Sequence, residues 1–77
     1  MQLHLAGYLN YFDPLKRSWI EIDLAEKQSL SSIMAELGVP MQEIVLCVVN
    51  GEMVTLETAC VSNEDLVELI PSIGGGD

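Results

Sequence analysis

The residues best placed for covalent chemistry stand at the end of the chain, where positions 70–77 read Ile-Pro-Ser-Ile-Gly-Gly-Gly-Asp. Glycine has no Cβ, so such a tail passes a narrow channel and takes backbone angles closed to other residues. A chain needs this when its own carboxylate must reach the floor of another protein's active site. The competing reading is a glycine-rich end with no task. The apolar strand and proline that lead into the glycines favour an active tail. Other reactive groups are sparse. The single histidine, His4, has no His or Cys at ligand spacing and reads as a surface residue, not a metal ligand. Cys47 sits in the apolar run VLCVV and reads as a small core residue, whereas Cys60 in its polar stretch has no evident place. Neither belongs to a C-x-x-C; two cysteines allow a disulfide on count alone, but nothing suggests secretion.

Size and charge narrow the function classes. Seventy-seven residues make one domain. Such a chain buries roughly 60–65% of its surface on folding, which leaves no room for a large substrate cleft. A carrier or binding role therefore stands ahead of catalysis. The charge is −9, from 3 Lys+Arg against 12 Asp+Glu. This excludes nucleic acid, whose phosphates require a basic patch, and disfavours an anionic membrane surface. A basic protein partner fits; so does the plainer reading, in which the acids keep an oily domain in solution. No basic region followed by an apolar run marks a signal peptide, and no apolar stretch reaches the roughly 18 residues of a membrane span. The expected location is the cytoplasm.

The elements that must hold the tail follow from periodicity. LHLAG predicts a strand over about 2–7, and SWIEIDL alternates with Ile20, Ile22 and Leu24 on one face and Trp19, Glu21 and Asp23 on the other. Residues 8–17 between them carry Asp13-Pro14 and Lys16-Arg17 and read as a long, solvated hairpin connection. Leu30, Ile33, Met34 and Leu37 then recur at helical spacing. Ser29 is placed as N-cap and Gly38 as the left-handed residue past the end, and Pro40 forbids continuation. IVLCVV has no polar face and predicts a strand buried on both sides, turned by Asn50-Gly51 into a hairpin. Residues 55–62 read as irregular, 63–65 as a turn and LVELIP as the final strand. The order strand–strand–helix–strand–strand–strand predicts an α+β fold of the β-grasp, ubiquitin-like type. It has a mixed sheet of about five strands with one main helix on one face. The domain would span 1–71, with residues 72–77 as its tail.

On three stretches the chain resembles the MoaD/ThiS family of sulfur-carrier proteins. VLCVVNGEMV is similar to the family's apolar strand and Val-Asn-Gly-Glu turn. VSNEDLVELIP is similar to its polar turn, apolar strand and proline. PSIGGG is similar to its Pro-Pro-(Val/Ile)-(Ser/Ala)-Gly-Gly tail. On that tail Pro71 takes the first proline position and Ser72 the second, Ile73 and Gly74 follow, and Gly75-Gly76 fall on the terminal pair. Ser72 in place of the second proline is a minor departure. Asp77 beyond the diglycine is a major one, because the family's reactive group is the terminal glycine carboxylate.

The resemblance implies a carrier and not an enzyme, with no cofactor bound to it. A separate adenylating enzyme of the ubiquitin-activating type would use ATP to form an acyl-adenylate at Gly76. A sulfur donor, a protein persulfide, would displace AMP and leave a thiocarboxylate. A synthase would accept the sulfur for a molybdenum or tungsten pterin or for the thiazole of thiamin, and the PSIGGG tail leans to the pterin. Gly74, Gly75 and Gly76 would thread into the partner. Asp77 would be removed first by a peptidase; otherwise it blocks the chemistry and the domain does something else. Trp19, Glu68, Pro71 and Ile73 are the candidate partner contacts. Trp19 reads either as part of a docking patch or as tucked against the 8–17 loop or a neighbouring strand. Glu64, Asp65 and Glu68, near the tail in sequence, either steer it to a basic rim or solvate that end. The alternative functions are a ubiquitin-like interaction module with an inert tail and a protein modifier joined to lysines.

Overall fold

The computed structural model describes residues 1–72. Its strands are β1 (Gln2–Leu5), β2 (Trp19–Glu21), β3 (Gln28–Ser29), β4 (Ile44–Val49), β5 (Glu52–Val54), β6 (Cys60–Val61) and β7 (Leu66–Pro71), with one α-helix, α1 (Leu30–Leu37). Five strands form a mixed sheet in the order β2-β1-β7-β4-β5, and β3 and β6 pair in a small second sheet. β1 and β7 run parallel at its centre; the other neighbours are antiparallel. This is the expected β-grasp.

Alternation along the strands sorts residues onto two faces. Leu3, Leu5, Ile20, Cys47, Val67 and Leu69 point inward and are buried with Leu30, Ile33 and Met34 of α1 in one core. The helix has the caps its sequence predicts. Ser29 is extended and its side chain accepts from Ser32 N–H, while Gly38 closes the end at φ 82° with its N–H on the carbonyls of Met34 and Ala35. Asn50 and Gly51 both take positive φ, 52° and 86°, as the β4–β5 turn requires.

Four expectations are corrected. The strand at 2–7 stops at Leu5, because Gly7 turns to φ 57° and starts a 3₁₀ helix over Gly7–Phe12 that buries Leu9. The strand at 18–24 shortens to Trp19–Glu21. Beyond it the Leu24 N–H is taken by the Asn63 side chain at 2.8 Å. The irregular stretch 55–62 contains β6, whose pairing puts Val61 opposite Gln28. β4 is not buried on both sides. Only Cys47 of its six residues is buried, and Val45 is 68% exposed at a register shift between Ile44 and Leu46.

The 8–17 connection is also not merely solvated. Asp13 is 3% exposed, and its carboxylate accepts from the Arg17 backbone N–H at 2.8 Å, from Nε at 2.9 Å and from Nη2 at 3.0 Å. The guanidinium bonds first, and the backbone N–H second, hold the Asp13 carboxyl down to about 2. Lys16, at φ 57°, donates from Nζ to the Tyr11 carbonyl at 2.8 Å.

Candidate functional site

The helix covers one face of the sheet, and the strands leave the other open. On that outer face the register draws one row across all five strands: Trp19, His4, Glu68, Val48 and Met53. Leu46 and Ile70 pair in the neighbouring row. Trp19 is 54% exposed and Met53 72%, and the apolar row is interrupted by the Glu68 carboxylate in its middle. A flat face of this kind suits a protein partner better than a small molecule, because it offers exposed aromatic and aliphatic area without a cleft.

The Trp19 ring lies flat on His4 of the neighbouring strand, with centroids 4.3 Å apart and planes within 7°. Trp19 thus packs on the neighbouring strand, one of its two expected places, and remains more than half exposed. His4 is half-buried, not a free surface residue, and its Nδ1 is 4.0 Å from Glu68 Oε2. The sequence-expected contacts Trp19 and Glu68 are therefore brought into one row, joined through His4, which had been given no part.

The acids divide differently. Glu64 and Asp65 lie at the start of β7, about 20 Å along the strand from Ser72, so they are not at the tail's root. Asp65 is a structural residue. Its Oδ1 accepts from the Asn50 amide at 2.9 Å and its Oδ2 from Ser62 N–H at 2.8 Å, which together hold its carboxyl below the usual value. Asn50 also accepts from Leu66 N–H at 2.9 Å, so this corner ties the β4–β5 turn to the start of β7.

At the other end of β7 the chain reaches the tail. Pro71 is buried, opposite Ile44, and its ring faces Gly7. Pro71, expected among the partner contacts, is buried within the domain instead and closes the sheet, where a residue without an N–H ends the ladder. Ile73, Gly74, Gly75, Gly76 and Asp77 lie outside the described residues.

The two thiols are free. Cys47 forms part of the wall of a groove of about 310 Å³ beside β4, where β5 stops short. Burial pushes its thiol up to about 11, so it stays protonated near neutral pH and is a poor nucleophile. Cys60 is exposed on β6. Among the described residues no three His, Cys, Asp or Glu side chains gather as a metal site, and no helix is long and apolar enough to cross a membrane.

The chain matches the family model of the ThiS family over residues 9–76. Among solved structures it is similar to a crystal structure of the thiamine biosynthesis protein ThiS from Geobacter metallireducens. The identity is 25%, covering 99% of this chain and 100% of that one, with a TM-score of 0.58. A solution NMR structure of a thiamine biosynthesis protein from the same organism matches at 26% identity, over 100% of this chain and 90% of that one, with a TM-score of 0.55. No match was found among curated proteins.

Proposed function

The chain belongs to the ThiS family, small sulfur carriers that work with adenylating and sulfur-transfer enzymes, and on that premise we propose that Gly76 is the acyl group that carries the sulfur. The observation that carries this reading is the extent of the family match, which runs through Gly76 and leaves Asp77 outside it. A peptidase that removes Asp77 exposes the Gly76 carboxylate. An adenylating enzyme of the ubiquitin-activating type, using ATP, converts it to an acyl-adenylate with release of pyrophosphate. The terminal sulfur of a persulfide attacks the acyl carbon, AMP leaves, and a second thiol cleaves the resulting acyl disulfide to free the thiocarboxylate. A synthase then accepts the sulfur. Gly74 and Gly75 give the slender approach. The outer row centred on Trp19, His4 and Glu68 is the handle by which partners recognise the domain.

The acceptor pathway is the thiazole of thiamin. Support for it comes from the solved relatives, both named as thiamine biosynthesis proteins. The lean of the PSIGGG tail towards the pterin finds no support in either.

The test uses two chains, one ending at Asp77 and one at Gly76, each incubated with ATP and the cognate adenylating enzyme and followed by intact mass. The expected result is an adenylate on the Gly76 chain alone, with sulfur replacing oxygen once a persulfide donor and thiol are added. If neither chain is adenylated, the carrier reading fails and a ubiquitin-like interaction module takes its place. Conjugates on lysine in cells would instead indicate a protein modifier.

A further inference from the structure

We propose that Gly7, Tyr8 and Glu43 form a collar around the end of β7 that fixes the line along which the chain leaves the sheet. They are then positioning residues for acylation at Gly76, and this rests on the carrier reading above. Three observations meet at Pro71. On one side Gly7 sits at φ 57°, and a Cβ built there would lie 2.8 Å from Pro71 Cγ and 3.3 Å from Cδ. Only glycine satisfies both the left-handed angle and the close approach. On the other side Pro71 is opposite Ile44, so Glu43 directly precedes the strand that flanks it. The Tyr8 hydroxyl then donates to Glu43 Oε1 at 2.7 Å, joining segments 35 residues apart that stand on either side of β7. Just below, Ala6 N–H bonds the Leu69 carbonyl at 3.0 Å, so β7 is held almost to its last residue.

This arrangement suits alignment. The residues that follow include three glycines, which have no side chain for a channel to grip. Pro71 and Ser72 are the last described residues before them, so the hold on Pro71 is the fold's last grip ahead of the reactive end. A misplacement of about 1 Å at a reacting centre can cost on the order of a hundredfold in rate. None of the three residues belongs to the outer row, so a change in the collar separates from a change in docking.

The experiment measures steady-state adenylation of chains ending at Gly76 with the cognate enzyme and ATP. Gly7→Ala is expected to lower kcat by roughly ten- to a hundredfold while KM for the carrier stays within about twofold, because the docking row is untouched. Tyr8→Phe removes only the bridging hydrogen bond, Glu43→Ala removes it together with the carboxylate, and each is expected to lower kcat by about fivefold. Glu43→Gln, whose amide oxygen still accepts, is expected to restore it. Wild-type kcat in both Gly7→Ala and Tyr8→Phe overturns the proposal. So does a loss confined to KM, or a Glu43→Gln chain as slow as Glu43→Ala. If Gly7→Ala does not fold by its amide spectrum, the comparison of Tyr8→Phe, Glu43→Ala and Glu43→Gln decides alone. If the wild-type Gly76 chain is itself not adenylated, the carrier reading falls and the collar with it. An active wild type with unaffected variants sinks only the collar.

Discussion

The two faces of the main sheet are built from the same strands and carry different work. The inner face is closed by Leu3, Leu5, Ile20, Val67 and Leu69 against α1. The outer face keeps Trp19 and Met53 in water. The buried contacts that hold the fold lie on one side and the exposed area proposed for docking on the other, so a change on either face should be read by a different instrument. Glu68 shows the distinction within one strand. Its neighbours Val67 and Leu69 are buried, while Glu68 stands outward beside His4.

The largest expected effect is on the inner face. Leu69→Ala should destabilise the domain by about 2–5 kcal/mol, read by urea unfolding. On a chain this small that approaches the whole stability. Trp19→Ala on the outer face should change unfolding by less than about 1 kcal/mol yet weaken binding to the adenylating enzyme by about 2 kcal/mol, read by calorimetry. Equal losses in both assays would dissolve the contrast between the faces. Ser29→Ala removes the cap of α1 and should cost about 1 kcal/mol in unfolding with no change in partner affinity. The smallest effect is at acid pH. Asp13 is held at about 2 in the fold against an ordinary 3.8, so its contribution is present above about 3.8 and is lost as pH falls towards 2. Asp65, also lowered, acts in the same direction. Thermal midpoints should fall over that window, and Asp13→Asn should flatten part of the fall while leaving the outer face unchanged.

Local rules made some of this structure legible in the sequence. Ser29 and Gly38 are read from their neighbours, and the helix between them needs only its 3.6-residue period. The outward side of Trp19 follows from the alternation of SWIEIDL, and Asn50-Gly51 announces its own turn. Contacts between residues far apart in sequence could not be read in this way. The Tyr8–Glu43 bond spans 35 positions and the Leu24–Asn63 bond 39. No periodicity marks either one. The β3–β6 pair is two residues on each strand, too short for an alternation to register. Asp13 illustrates a third limit. Its sequence signature, Asp-Pro, is that of an exposed turn, and only the fold shows that the chain doubles back to bring Arg17 onto a buried carboxylate. For β4, an unbroken apolar run predicts burial on both sides, which the fold does not give it. The same residues also suit a face kept for another protein, and composition does not separate those cases.

The position of β7 has a consequence for how the molecule comes into being. It lies in the middle of the sheet, between β1 and β4, yet it is formed by residues 66–71. Until those residues have emerged from the ribosome, the β1–β2 and β4–β5 hairpins have no strand to join them, and the core has neither Val67 nor Leu69. Without this strand the remaining hairpins and the eight-residue helix share no sheet, and neither kind of element is stable alone in water. Pairings so distant in sequence slow folding relative to a helical bundle of equal size. The outer row includes Glu68 and the last described strand ends at Pro71, so the exposed row and the root of the tail are completed by the same strand.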